Sequence, residues 1–237
     1  MEQQKAVSRK SKPASLWSMF TNPVITLESL RDRPRWLVPV LVSATFSVAV
    51  NLYVVRRIGL ARLINAAGHS SAVIDPQAAM QSALAHQDLI LTFQAASTFV
   101  SSILTILVIA KVFSLALTLC GQDTSFKTIL ATVAYVLALS AIVRQSLLAL
   151  TATLIQDLDT LDLRNPLATN LAFFLRPSSP VALRILSALD VITIVTIALL
   201  VVGLTKVCDR LSPRAASLVV VVPWMAYVGA TLLIPSF

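Results

Sequence analysis

The chain has 237 residues, 57% of them hydrophobic and only 13% charged, with a mean hydropathy of +0.82 and a formal charge of +8. A soluble domain carries about a quarter charged residues, and so thin a polar shell could not cover this much apolar surface. The composition excludes an ordinary water-soluble globular protein and implies that lipid is the solvent.

In chain order, the first twelve residues are polar and basic and are expected to be disordered. Leu16, Trp17, Met19 and Phe20 then form an apolar patch suited to the headgroup boundary. Asn22 and Pro23 read as a helix cap and first helical residue. Val24, Leu27 and Leu30 recur every three residues, with Glu28, Arg31 and Asp32 on other faces. This predicts an amphipathic helix from Pro23 to Arg33, lying on the membrane and ended by Pro34; a solvated linker is the alternative.

A crossing needs about 20 mainly apolar residues. Five runs qualify: Trp36–Val55, Leu89–Leu119, Phe126–Ile155, Ile185–Thr205 and Ala215–Ile234. Trp36 and Tyr53 suit the two interfaces of the first. The second exceeds a perpendicular crossing, which tilt would absorb. Pro223 and Gly229 in the fifth are tolerable as kink or packing sites. A polar loop over 58–88 contains a short helix from Pro76 to Ala85. The loop beginning with Asp157, Asp159, Asp162 and Arg164 contains an interfacial stretch, Leu167–Leu175. The fold class is thus all-α: a polytopic bundle of five spans (36–237) preceded by a basic segment (1–35) with an interfacial amphipathic helix.

Lysines and arginines set the orientation. With the N-terminus inside, the inner face carries Lys5, Arg9, Lys10, Lys12, Arg31, Arg33, Arg35, Lys127, Lys206, Arg210 and Arg214. The outer face carries Arg56, Arg57, Arg62, Arg164, Arg176 and Arg184. The bias favours a cytoplasmic N-terminus, although Arg56 and Arg57 oppose it. The basic N-terminal cluster reads as attraction to anionic headgroups, not to nucleic acid. Trp17, Phe20, Arg31, Arg33, Arg35 and Trp36 are its candidate contacts with the membrane surface or a partner. The first apolar run is too long for a cleaved signal and is expected to remain as a span.

Three charges fall inside spans: Lys111, Arg144 and Asp190. Charges at such depth imply a partner or a function. Lys111 sits about two turns before the inner end, and its stem can snorkel there. Arg144 and Asp190 fall at comparable depth on oppositely directed helices. An ion pair between them is expected, with Gln145 as a further polar contact, and a charge-swapped pair should restore folding. Ser97, Ser101, Ser102 and Thr105 on the second span, and Ala131, Ala134, Ala138 and Ala141 on the third, form stripes for close packing or, alternatively, homo-oligomerisation.

Catalytic and cofactor signatures are absent. His69 and His86 lack a metal-binding context, Asp157, Asp159 and Asp162 lack the glycine and terminal glutamate of a calcium loop, and no P-loop, nucleophile elbow or dinucleotide fingerprint occurs. Cys120 and Cys208 form no CxxC pair, and a reduced setting is expected. No enzyme activity, metal or cofactor is expected.

Three segments together resemble the Yip-one domain family of membrane proteins, named for its Ypt/Rab-interacting members, and particularly its bacterial representatives. The first is Asn22-Pro23 leading to Arg33-Pro34-Arg35-Trp36-Leu37-Val38-Pro39. The second is Gly121 with Ser125-Phe126-Lys127, followed by Leu130, Ala131, Ala134 and Tyr135. The third runs from Asp190 through Gly203-Leu204 to Pro223-Trp224. Bacterial relatives often carry an aromatic shortly after the aspartate, where this chain has Val191 to Val195. The eukaryotic Asp-Leu-Tyr-Gly-Pro signature is absent, which leaves a Rab-type partner open.

The resemblance implies five spans, a cytoplasmic N-terminus and a role in organising membranes or membrane-protein complexes, without catalytic residues. The expected function is a non-enzymatic scaffold in the bacterial plasma (inner) membrane. Its partners would be the bilayer, other membrane proteins or a second copy, and a cytoplasmic protein at the N-terminus. The rival is a small transporter or channel with a polar pathway near Arg144 and Asp190.

Overall fold

The computed structural model describes residues 14–60, 62–63, 76–155 and 165–233. Lys5, Arg9, Lys10, Lys12, His69, Asp157, Asp159, Asp162 and Arg164 lie outside the described residues, as does the last residue of the expected fifth span, Ile234. The helices are α1 (Leu16–Thr21), α2 (Pro23–Ser29), α3 (Leu37–Ile58), α4 (Pro76–Ala85), α5 (Gln87–Leu119), α6 (Phe126–Leu154), α7 (Leu171–Leu175), α8 (Pro180–Ala188), α9 (Val191–Val207) and α10 (Pro213–Leu233). Four of them, α3, α5, α6 and α10, are long and apolar enough to cross a membrane, and α9 is a shorter apolar helix of 17 residues. Helices suit hydrocarbon because each satisfies its own backbone. The protein is an all-α polytopic bundle.

Helix α6 is the hub, packing against α3, α5 and α9. Its first half is buried on nearly every side because Ala131, Ala134 and Ala138 let neighbouring backbones come close. The alanine stripe is therefore used inside the bundle. Gly203 on α9 does the same for the α6 crossing: a Cβ there would stand 2.6 Å from Thr132 Cγ2 and 3.4 Å from Leu27 Cδ2. Nothing lies within 4 Å of a Cβ placed on Gly229, so that glycine packs against no neighbour among the described residues.

The N-terminal arm differs from its sequence reading in two ways. Its second helix ends at Ser29 rather than at Arg33. Met19, Leu27 and Leu30 are also buried in the main core, with α1 against α6 and α2 against α9. Hydropathy marks a stripe as apolar but does not say whether lipid or protein covers it. The arm is clasped by the bundle through this stripe, while Val24 stays exposed. Ser15 opens α1 with a capping box completed by Ser18, and the Tyr135 hydroxyl donates to the Ala14 carbonyl at 3.0 Å.

The expected fourth span is not one continuous helix. α8 ends at Ala188, Asp190 adopts extended backbone (φ −108°, ψ 133°), and α9 begins at Val191. Aspartate favours caps over helix interiors because its carboxylate competes for nearby backbone N–H groups. Asp190 also forms an isolated antiparallel bridge with Asn170. Asn170 caps α7 by accepting from Phe173 N, and its amide exchanges two hydrogen bonds with that of Asn165, at 2.7 and 3.1 Å, both residues being buried. The segment before α8 is thus folded back against the break.

Candidate functional site

Two of the three intramembrane charges meet. Arg144 Nη2 donates to Asp190 Oδ2 at 2.5 Å and to Thr193 Oγ1 at 3.3 Å. The carboxylate has further donors: Thr193 Oγ1 at 3.2 Å to Oδ2, and Ile192 N at 3.2 Å to Oδ1. Asp190 thereby caps α9, where the helix end favours negative charge. Its side chain is 3% exposed, against 47% for Arg144. A turn away, Ser140 and Thr196 hydroxyls lie 2.7 Å apart, extending the polar seam between α6 and α9.

Gln145 does not join this seam. Its Oε1 is buried without a hydrogen-bond partner. It lines a cavity of about 310 Å³ with Ser43 and Ser47 of α3, Ser101, Ser102 and Thr105 of α5, and Ser140 and Arg144 of α6. Lys111 lies apart from both, its Nζ 5.8 Å from the centre of the Phe126 ring at the start of α6. The contact is of the cation–π kind.

At the other end of the bundle, Trp17 is 77% exposed, and Phe20, Arg33 and Arg35 are also exposed. Trp36 is half-buried against the core. Arg31 forms an ion pair with Asp209 in the turn between α9 and α10. Lys127, Lys206, Arg210 and Arg214 are exposed at this same end. Burial pushes the Cys208 thiol up; Thr124, whose hydroxyl donates to its Sγ at 3.3 Å, works against that, and Asp209 adds to it.

Ser140, Thr193, Thr196 and Asn170 were not singled out from the sequence. A signal existed for one of them: Asp190 followed three residues later by Thr193 is the spacing of a capping turn. Among the described residues, no three His, Cys, Asp or Glu side chains are grouped to hold a metal.

The model of the Yip1 domain matches residues 17–234. The chain belongs to the Yip1 domain family. No curated protein and no solved structure matches it. In this Yip1 domain the matched stretch takes in α2 as well as the bundle and contains both Arg144 and Asp190. With four helices long enough to cross and a fifth shorter apolar one, this Yip1 domain chain is a multi-pass membrane protein in contact with the bilayer.

Proposed function

We propose that this Yip1 domain protein is a non-enzymatic scaffold that organises membrane or membrane-protein complexes. One observation carries this reading. The N-terminal arm spends one face on the bundle and presents the other, with Trp17, Phe20 and Ile25, at an end rich in exposed arginine and lysine. Exposed aromatic and aliphatic anchors beside cations suit an anionic membrane surface and a protein docked on it. The distribution of lysine and arginine supports placing this end in the cytoplasm, with the bacterial plasma membrane as the site and α9 as the fourth of five crossings.

The test is site-specific photocrosslinking in native membranes from positions 17, 20 and 25. Discrete protein adducts from these positions, absent from the lipid-facing position 104, are the expected result. Adducts to lipid alone at all four positions would remove the scaffold reading.

The cavity beside Arg144 and Gln145 favours a second reading, a polar pathway for a solute. Flux in proteoliposomes that Arg144→Leu abolishes would support it, and no flux for any ion or small solute tried would count against it.

A further inference from the structure

We propose that the cavity between α3, α5 and α6 binds the headgroup of an aminophospholipid, its phosphate on Arg144 and its ammonium on Gln145 and the serine oxygens. The inference takes the same cavity as the polar-pathway reading and adds the chemistry of its occupant; it stands without transport.

Three of the lining hydroxyls have their protons committed. Ser43 donates to Val40 O, and Ser101 and Ser102 both donate to Thr98 O, at 3.1, 3.1 and 2.7 Å. With their protons spent on their own helices, these hydroxyls offer lone pairs to the cavity. Gln145 Oε1 adds a buried acceptor with no donor. As placed, that oxygen calls for a donor from outside the described residues. The charged donor is Arg144, and the hydroxyls of Ser47 and Thr105 are neutral donors beside it. Only the Nη2 of Arg144 is engaged among the described residues, which leaves Nε and Nη1 for an anion. The Arg144 side chain is 47% exposed, so its remaining N–H groups stay open to an outside acceptor although Asp190 offsets its charge.

Position decides between a lipid and a free ion. Ser101 and Thr105 are exposed on α5 beside Val100, Leu104 and Val108, which face the lipid. The slot therefore opens sideways, towards acyl chains. Arg144 lies ten residues from the end of α6, roughly 15 Å along the axis, within reach of a lipid of that leaflet. A diacyl lipid can leave its tails on the apolar flank while its head enters the slot; free phosphate has no such route. The volume of about 310 Å³ leaves room for a phosphoethanolamine group.

The test uses the full chain in nanodiscs, with native mass spectrometry reading retained lipid. Phosphatidylethanolamine, phosphatidylcholine and phosphatidylglycerol are compared, with inorganic phosphate as the soluble arm. Choline keeps the phosphate and lacks N–H donors. The expected result is about tenfold stronger retention of phosphatidylethanolamine than of phosphatidylcholine, since one lost charge-assisted hydrogen bond is worth about 1.4 kcal/mol or more. Gln145→Leu, which removes no internal hydrogen bond, should erase that preference. Arg144→Leu should weaken both lipids, and Arg144→Lys should restore part of the loss. Equal retention of all three lipids by the natural chain, a preference that survives Gln145→Leu, or binding of inorganic phosphate alone would overturn the site. Solute flux measured separately leaves the outcomes distinct: bound phosphatidylethanolamine without flux removes the pathway and keeps the site.

Discussion

Asp190 serves two helices at once: it takes the Arg144 guanidinium from α6 and caps the first turn of α9 through Ile192 N. A charge swap cannot reproduce both roles, because an arginine at 190 offers no acceptor to the α9 N-terminus. The double variant R144D/D190R is therefore expected to recover only part of the stability lost in either single variant, which corrects the full rescue that pairing alone implies. Asp190→Ala removes a cap worth about 1 kcal/mol, whereas Arg144→Ala leaves a buried carboxylate unpaired, so the double alanine variant should be more stable than Arg144→Ala alone. Unfolding in mixed detergent checks the order. A double variant less stable than Arg144→Ala would contradict it.

Gly203→Ala is expected to destabilise the bundle by about 1–3 kcal/mol, the usual cost of an extra methyl in a filled contact. The clash is with Thr132 Cγ2 at 2.6 Å, on a side chain whose hydroxyl is held by Thr128 O. Thr132→Ser removes that methyl, so the double variant should be closer to the natural chain than Gly203→Ala. A cycle of the four proteins measures the coupling.

The arm is held more by packing than by its ion pair. Arg31 and Asp209 are 51% and 69% exposed, and such pairs contribute about 0–1 kcal/mol. Asp209→Asn should leave protease resistance before Trp36 nearly unchanged. Leu27→Ala, at a fully buried position, should make the arm cleavable at a loss of about 2–5 kcal/mol. Tyr135→Phe, which frees the Ala14 carbonyl, should fall between them at about 1 kcal/mol.

The two cysteines should react differently. Cys120 is exposed and Cys208 is buried with its thiol pushed up. A raised value lowers the thiolate fraction at a given pH, so alkylation of Cys208 should begin at higher pH and run more slowly. Peptide mass mapping across a pH series reads this. A Cys208 rate matching that of Cys120 would contradict the burial. With an impermeant reagent, labelling of Cys120 only in inverted vesicles would also place that end in the cytoplasm.

Much of the fold was legible because hydrocarbon demands long uninterrupted apolar runs. The helices α3, α5 and α6 begin and end within a few residues of the expected spans, and α4 spans Pro76–Ala85 as expected. The break at Asp190 was hidden inside the apolar run Ile185–Thr205, since averaging over a window conceals one capping residue. Arg144 and Asp190 could be placed at similar depth from spacing alone. The separation of Gln145 from them could not, because neighbours 100° apart on a helix face different partners and only the packing of α3 and α5 defines the second face. The burial of Leu27 and Leu30 was equally unreadable, lipid and protein being alike to hydropathy.

The brevity of α9 has a mechanical consequence. Its 17 residues rise about 26 Å, against about 43 Å for the 29 residues of α6 and a hydrocarbon layer of about 30 Å. A crossing made by α9 would fall about 4 Å short of that layer, a mismatch that local thinning of the bilayer would absorb. Such a crossing would give the protein a thin flank at α9 and a thick one at α6.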